Sequence, residues 1–243
     1  MKPIQEIKIT SFEEFIHKIK EVSLHDQESH IRLYRGHGDS TWSLIPKIGR
    51  PEYQVQNFLE SEKDILNEFK RMAIQHNNDI SEYSNWDLMA LAQHHGLPTR
   101  LLDWTTNPLA ALWFAFYLND NKSGKRCVWS LLTDDTYIAN LLVDPFSLKR
   151  TVIFRPNHIT KRITAQSGWF TVHLYIQDRN SFIPLEKHKQ YSPHLAKFII
   201  DNSLKTDILK TPETLGINHY TMFPDLDGLT SYIEWKKYKR NKK

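Results

Sequence analysis

The sequence predicts a single α+β domain with a central mixed or antiparallel β-sheet flanked by helices. Short segments that alternate apolar and polar residues, as strands do, occur between amphipathic stretches with helical spacing along all 243 residues. No repeat, low-complexity tract or obvious linker divides the chain. With 40% hydrophobic and 25% charged residues, the composition is that of a globular protein able to bury one continuous core.

Residues 1–29 predict one strand and one helix that pack on the rest of the domain. Residues 4–10, IQEIKIT, alternate apolar and polar side chains and indicate a short edge strand. Ser11 and Glu14 have the spacing of a capping box, and an apolar stripe follows them. We therefore expect a helix that begins near Phe12.

A second strand is predicted from His30 to Tyr34 and leads into Arg35. Gly36 and Gly38 follow, and we expect the backbone to turn sharply just past the arginine. An arginine at a strand end beside glycines can present its guanidinium to a phosphate or carboxylate while the backbone lets the ligand approach. The alternative for Arg35 is a surface salt bridge.

The middle of the chain predicts two amphipathic helices, a buried strand and a wholly apolar helix. The amphipathic helices are Phe58–His76 and a second one, capped by Asn85, that ends before Gly96. The buried strand is Thr99–Asp103, and the apolar helix is Leu109–Leu118. Asn107 followed by Pro108 is a cap and first position that starts the apolar helix. Because that helix is apolar on all sides, we expect it to be central.

The second half of the chain predicts four strands and several helices. The strands are Arg126–Thr133, Val152–Phe154, Gly168–Gln177 and Leu195–Ile200. The helices are Asp134–Leu142, Asn157–Thr164, Ser203–Leu215 and a last one that ends within Tyr232–Lys239. Asn119–Lys125 is predicted as a loop.

Charge and cysteine content favour a cytoplasmic protein. Net charge is +4, and six of the last eight residues, Lys236–Lys243, are Lys or Arg. We expect this basic tail to be a solvated helix end, with nucleic-acid contact as the alternative. The single Cys127 excludes an internal disulfide, and no apolar run resembles a signal peptide or a membrane span, so no membrane partner is expected.

Polar residues are unusually dense in the apolar stretch Gln93–Tyr117. His94 and His95 end a predicted helix, where a histidine can cap the last carbonyls or contact a ligand. A metal site built from them and Asp103 is a weaker alternative, because no metal-ligand spacing supports it. We therefore predict no metal.

Further candidates flank the apolar helix and a later strand. Arg100 and Asp103 are three residues apart and are predicted to pair as a buried brace. Thr105 precedes the helix capped by Asn107, whose free N–H groups attract anions, and its hydroxyl can hold the ribose or amide of a ligand. Gln166, at the head of a strand, can bond a ligand or a turn.

Four blocks of residues together resemble the FRG domain, a family named for an aromatic-Arg-Gly motif. They are Tyr34-Arg35-Gly36, followed by Trp42 and Pro46; Gln93–Thr105, followed by Asn107-Pro108; Arg162 with Gln166–Phe170; and Gly216–Asn218 with Met222–Leu229. The resemblance covers residues 30–235 and leaves 236–243 as a basic tail. The family occurs in bacterial and phage-related proteins, which implies a toxin or phage-defence effector with an antitoxin or defence-system partner.

The order of segments is also similar to the core of the ADP-ribosyltransferase superfamily, which implies a split β-sheet. In one branch, an arginine that ends the first strand holds the phosphates of NAD, and a late strand bears a catalytic glutamate. Arg35 matches the arginine, and Leu102–Thr105 would occupy the second strand, but Gln166–Trp169 contains no glutamate. Either another acid supplies the charge, or the chain binds without transfer. The acids available are Asp103, Asp225 (otherwise a helix cap) and Asp227.

This second resemblance implies an ADP-ribosyltransferase-like enzyme or toxin that binds NAD and transfers ADP-ribose to a macromolecular target, or hydrolyses NAD. The catalytic residues it implies are Arg35, Asp103, Thr105 and Gln166. The NAD-binding residues it implies are Arg35, Gly36, His94, His95, Thr105, Asn107 and Gln166. The alternatives are a non-catalytic ligand-sensing or protein-interaction module, and a nuclease or other nucleic-acid-acting effector.

Overall fold

The computed structural model describes residues 4–55, 57–76, 78–117, 124–157 and 160–239. Its main sheet contains β1 (Gln5–Ile9), β2 (His30–His37), β3 (Leu101–Thr105), β4 (Lys125–Asp134), β5 (Val152–Phe154), β6 (Gly168–Val172) and β9 (Leu195–Asp201). The strand order is β1-β9-β4-β2-β3-β6-β5, with β1 parallel to β9 and the other neighbours antiparallel. A small second sheet pairs β7 (Tyr175–Ile176) with β8 (Ser181–Phe182).

Helices flank the sheet, which confirms the predicted α+β domain with a mixed central sheet. They are α1 (Phe12–Ser23), α2 (Phe58–Ala73), α3 (Asn85–His94), α4 (Pro108–Tyr117), α5 (Lys161–Ala165), α6 (Lys205–Thr214), α7 (His219–Met222) and α8 (Leu226–Glu234). A π-helical turn, Trp235–Lys239, continues α8 into the predicted basic tail. Within the described ranges, none of the helices has both the length and the apolar character needed to span a bilayer.

The main sheet consists of two halves that bury different helices. The half formed by β1, β9, β4 and β2 packs against α1, α4 and α6 through one cluster of buried side chains, which includes Phe15, Leu112 and Ile208. The half formed by β3, β6 and β5 packs against α2 and α3 through another, which includes Leu66 and Trp86. As predicted, α4 is central, and six of its ten residues are buried.

The two halves meet at a single residue pair. Strands β2 and β3 pair only through Tyr34 and Thr105, whereas β2 pairs with β4 along its whole length, from His30 to His37. Beyond Tyr34 the two strands part, and this parting makes a gap inside the sheet. The gap supplies the opening in which the candidate site lies.

The turn predicted just past Arg35 is wrong, because β2 continues to His37. Gly36 serves helix packing instead of a turn. A Cβ atom at Gly36 would lie 2.0 Å from the carbonyl oxygen of Ala111 and 2.5 Å from the backbone nitrogen of Ala115, so only glycine lets α4 approach the strand this closely.

Several predicted boundaries also differ for local reasons. Strand β3 begins at Leu101 instead of Thr99, because the Thr99 hydroxyl accepts the Leu101 N–H and holds residue 99 in a loop. The prediction of a helix over Asp134–Leu142 is wrong. The structure has only a 3-10 turn at Asp135–Tyr137, where the Asp134 carboxylate accepts the Thr136 N–H. Most of the predicted loop Asn119–Lys125 lies outside the described residues.

One predicted helix cap is shifted by one residue, and the predicted capping box of α1 is only partly formed. Ser84, not Asn85, caps α3 by accepting the N–H of Asp87 at 3.2 Å. At α1 the Ser11 hydroxyl accepts the Glu14 N–H as predicted, but the Glu14 carboxylate accepts from the backbone of Thr10 and not of Ser11. Both helices still begin where a side-chain oxygen satisfies a free N–H group.

Candidate functional site

A cavity of about 800 Å³ opens where β2 and β3 part, and we call it the central cleft. It brings together six of the residues predicted to form a site: Arg35, Gly36, His94, Asp103, Thr105 and Gln166. His95 and Asn107 are not among its lining residues. A second cavity of about 600 Å³, between the start of α2 and the β7–β8 sheet, contains none of the predicted site residues.

Arg35 lies across the gap between the half-sheets. Its Nη1 donates to the backbone carbonyl of Asp103 at 2.7 Å and lies 3.5 Å from the Asp103 carboxylate. Its Nε donates to His37 Nε2 at 3.0 Å. Burial is the main cause of the lowered pKa of Arg35, and the Asp103 charge acts in the opposite direction. The guanidinium is therefore held at the cleft wall, and its Nη2 bonds no described residue.

His37 is buried and orients Arg35. Because its Nε2 accepts a hydrogen bond from Arg35, the neutral ring carries its proton on Nδ1, which has no hydrogen-bond partner among the described residues. Burial, followed by the charge of Arg35, holds the pKa of His37 well below its ordinary value. His37 was not among the predicted site residues, although its position two residues after Arg35 on a strand places both side chains on one face.

Asp103 is the carboxylate that stands in the cleft beside Arg35. Its side chain is 56% exposed although its strand is otherwise buried. Gln93 donates Nε2 to the Asp103 carboxylate at 2.9 Å, while its own carbonyl accepts the Thr99 hydroxyl at 2.8 Å. Thr99 is itself fixed by the Leu101 N–H. This relay holds one Asp103 oxygen, Oδ2, and leaves Oδ1 without a described partner.

The predicted brace between Arg100 and Asp103 is wrong. Arg100 is 1% exposed and pairs with Glu62 of α2, with Nε donating to Oε1 at 2.8 Å and Nη2 donating to Oε2. Its guanidinium also stacks over Phe146 at 5.2 Å. Arg100 lies just before β3 and turns toward α2, whereas Asp103 lies within β3 and faces the cleft.

Thr105 and Asn107 are engaged by the fold. The Thr105 hydroxyl donates to the backbone carbonyl of Gln166 at 2.6 Å and accepts the Asn107 N–H at 3.0 Å. The Asn107 side chain accepts the N–H groups of Leu109 and Ala110, which confirms it as the cap of α4. The single hydroxyl proton of Thr105 is thereby used, so any contact of Thr105 with a ligand would be as an acceptor.

Gln166 connects the cleft to the C-terminal helices. Its Nε2 donates to the Met222 carbonyl at 3.0 Å, which leaves Oε1 as the remaining polar atom of the side chain. Ser167, which follows it, has φ of +48°, in the left-handed region that non-glycine residues seldom adopt. The chain thus turns sharply between α5 and β6 and directs Gln166 into the cleft wall.

The two histidines of the central stretch differ in placement. His94 lines the cleft, and its Nδ1 lies 3.2 Å from the Thr160 hydroxyl. Burial, then the nearby charges of His95 and Arg162, lower the pKa of His94 to about 4, so its imidazole is neutral at pH 7. His95 is exposed and packs edge-on against His94 at 4.7 Å. Of the two, only His94 lines the cleft.

Arg162 supplies a second guanidinium from α5. Its Nε and Nη2 both donate to the Asp225 carboxylate, at 3.0 and 2.5 Å, and its plane stacks over Phe223 at 4.8 Å. Asp225 also caps α8 by accepting the Gly228 N–H, as predicted. That bond and the Arg162 contact hold the pKa of Asp225 below its ordinary range. Asp225 is therefore committed to structure and does not line the cleft.

The lining as a whole suits an anion that carries aromatic rings. It contains three arginines, Arg35, Arg50 and Arg162, against two carboxylates, Glu52 and Asp103. Its aromatic residues are Tyr34, Trp42, Trp104, Phe114, Tyr117, Trp169, Phe170 and Phe223. Within the described residues, no group of three His, Cys, Asp or Glu side chains is arranged to hold a metal ion.

Sequence reasoning missed Arg50 and Glu52, which reach the cleft from the segment between β2 and α2. No periodicity or motif marks them, since that segment has two 3-10 turns, Lys47–Gly49 and Pro51–Tyr53, and no long element. Only the tertiary arrangement assigns them to the site.

One family model matches part of the chain. Residues 30–124 match the family model of the FRG domain. The match begins at the first residue of β2 and includes the cleft residues from Arg35 to Tyr117. No curated protein and no solved structure matched the chain.

Proposed function

We propose that the central cleft, which is lined by Tyr34, Arg35 and Gly36 of the segment that matches the FRG-domain model, binds NAD as a substrate. The protein would act like an ADP-ribosyltransferase, passing ADP-ribose to a macromolecule or to water. One observation carries the proposal: Arg35, Asp103 and Gln166, distant in sequence, line one cavity with an arginine-rich and aromatic wall. Such a wall suits a ligand with two phosphates and two ring systems.

In this proposal each polar group has one task. Arg35 binds the pyrophosphate through the donors that its Asp103 and His37 contacts leave free. The remaining oxygen of Gln166 accepts from a ribose hydroxyl, and neutral His94 lines the ribose pocket. Thr105 acts through the position of Gln166, whose carbonyl it binds.

Asp103 takes the place of the glutamate that the Gln166–Trp169 block lacks. In the reaction, the bond between C1′ of the ribose and the nicotinamide nitrogen breaks, and its electron pair leaves with nicotinamide. The acceptor's nucleophile bonds to C1′ and releases a proton. Positive charge develops on the ribose meanwhile, and the carboxylate of Asp103, held by Gln93, stabilises it electrostatically.

The proposal is tested by titrating NAD into the purified protein by calorimetry and by measuring nicotinamide release with and without a cell extract as acceptor. We expect binding that Arg35→Gln weakens about tenfold or more, since a charge-assisted contact is lost. Arg71→Gln is the matched control, because Arg71 pairs with Glu68 on the exposed face of α2. Absence of both NAD binding and nicotinamide release contradicts the proposal.

A non-catalytic ligand-sensing module is the second candidate. Two observations favour it. The Thr105 hydroxyl and the Gln166 side-chain amide already donate hydrogen bonds to backbone carbonyls, and the Gln166–Trp169 block contains no glutamate. That function predicts NAD binding of the same strength with no nicotinamide release under any acceptor condition.

A further inference from the structure

One wall of the central cleft is unused by the roles assigned above. It is built by the segment that follows β2 and includes Trp42 and Arg50. Trp42 is 45% exposed, which is high for a tryptophan that lines a cavity. Arg50 is exposed, and its guanidinium forms no hydrogen bond or ion pair with any described residue.

The segment that forms this wall is anchored by hydrogen bonds to the rest of the domain, although Trp42 and Arg50 are exposed. The buried Arg126 donates Nη1 to the carbonyl of Gly38 and to that of Ala115 on α4. Leu44 is fully buried, and its backbone carbonyl accepts a hydrogen bond from the N–H of Leu185. Trp42 is thus presented by a loop that is anchored on both sides of it, at Gly38 and Leu44, so a ligand can stack on it without having to order the loop first.

This wall carries one guanidinium, that of Arg50, and one carboxylate, that of Glu52, and it shares the cleft with Arg35. Arg35 and Arg50 line the same cleft, and the positive charge of Arg50 adds to burial in lowering the pKa of Arg35, so the two guanidiniums repel each other. Asp103 faces Arg35, whereas no described carboxylate pairs with Arg50. A phosphate between Arg35 and Arg50 would relieve this repulsion and satisfy the free donors of both.

The contacts also give the order of groups along the cleft. Asp103 touches Arg35, Arg35 touches His37, and the His37 ring lies edge-on to Trp42 with centroids 6.1 Å apart. Asp103 therefore engages Arg35 at Nη1, whereas the exposed indole of Trp42 lies next to His37, which engages Arg35 at Nε.

We propose that Trp42 and Arg50 form a subsite for a purine nucleoside monophosphate unit, with the base stacked on Trp42 and the phosphate held between Arg35 and Arg50. The inference deepens the proposed function, on which it rests: the adenylate half of NAD occupies this wall, and the nicotinamide half extends toward Asp103. Base stacking on an aromatic side chain supplies affinity without base-edge hydrogen bonds.

The test uses AMP and nicotinamide mononucleotide as separate probes of the full chain by calorimetry. We expect Trp42→Ala to weaken AMP binding about tenfold or more and to change nicotinamide mononucleotide binding less than about twofold. Trp42→Phe should restore most of the loss, because it keeps a stacking face. Arg50→Gln should weaken AMP about tenfold and leave adenosine unaffected. Trp235→Ala and Arg71→Gln, outside the cleft, are the matched controls.

The outcomes separate this inference from the function it rests on. If NAD binds but Trp42→Ala leaves AMP unchanged, or weakens both probes equally, the subsite is wrong while the proposed function stands. If AMP binds in a Trp42-dependent way but NAD does not bind, the subsite stands and the function is wrong. If a five-adenine ribo-oligonucleotide binds far more tightly than AMP, with steep salt dependence, the wall is a binding site for a nucleic-acid strand, and the inference is overturned.

Discussion

Arg35 on β2 donates a 2.7 Å hydrogen bond to the backbone carbonyl of Asp103 on β3, across the point where the two half-sheets separate. Tyr34, one residue earlier, still pairs with Thr105. The bond therefore replaces a ladder hydrogen bond with a side-chain bridge, and it places a guanidinium and a carboxylate 3.5 Å apart at the edge of a cavity. A positively and a negatively charged side chain are thus set side by side at the cleft.

Asp103→Asn tests the charge assigned to this carboxylate. The amide has the same shape, so we expect NAD affinity to change less than about threefold, while nicotinamide release falls roughly 10²-fold because electrostatic stabilisation is lost. Calorimetry and single-turnover nicotinamide release measure the two effects. Asp227→Asn, at an acid outside the cleft, is the control and should retain the rate. A full rate in Asp103→Asn, or its loss in the control, would assign the charge to another group.

Gly36→Ala should destabilise the fold strongly. The added methyl would lie 2.0 Å from the Ala111 carbonyl oxygen, a backbone atom of α4 that cannot move by itself. We expect a loss of about 3 kcal/mol or more in the free energy of unfolding, measured by urea denaturation. Gly124→Ala is the matched control, since nothing lies within 4 Å of its added methyl, and should change stability by less than about 0.5 kcal/mol. Equal stability of the two variants would contradict the close approach of α4 to β2.

The buried pair of Arg100 and Glu62 should show strong coupling. Glu62→Gln leaves a guanidinium that is 1% exposed without its counter-charge, and we expect a loss of about 3–5 kcal/mol in unfolding free energy. The double variant Arg100→Met with Glu62→Leu removes both charges and should lose less than either single change. Glu68→Gln, at the exposed pair with Arg71, should cost less than about 1 kcal/mol. Additive effects at positions 62 and 100 would show that the two charges are not coupled.

Stability should fall in acid because buried imidazoles resist protonation. Burial is the main cause that lowers the pKa of His173 to about 3, while an unfolded histidine titrates near 6.5. The unfolded state therefore binds more protons between these values, so the stabilising contribution is present above pH 6.5 and is lost as pH falls toward 3. This loss is on the order of 5 kcal/mol for His173.

The measurement is the melting temperature of the wild type and of His173→Gln from pH 7 to pH 4. The variant should show a shallower fall with decreasing pH, whatever its stability at pH 7. His25→Gln removes an exposed histidine and should leave the wild-type slope unchanged. An identical slope in His173→Gln and the wild type would mean that this ring does not titrate with folding.

Local chemistry explains why much of the architecture could be predicted. Alternating residues placed β1 and β9 within one or two residues of their observed bounds, and Asn107 with Pro108 located the start of α4. Where boundaries were missed, a side-chain hydrogen bond competed with the backbone pattern. Thr99 and Asp134 are two such residues, since each binds a backbone N–H two positions later in the chain.

The sequence by itself determined the α+β class, the central apolar helix and the residues of the FRG motif, because periodicity, caps and spacing are local properties of the chain. Only the tertiary structure decided which distant residues contact one another. Arg100 pairs with Glu62 and not Asp103, Gly36 accommodates α4 and not a turn, and Arg50 reaches the cleft beside Arg35. Such contacts depend on how distant segments meet across the divided sheet, and no local pattern in the sequence encodes that meeting.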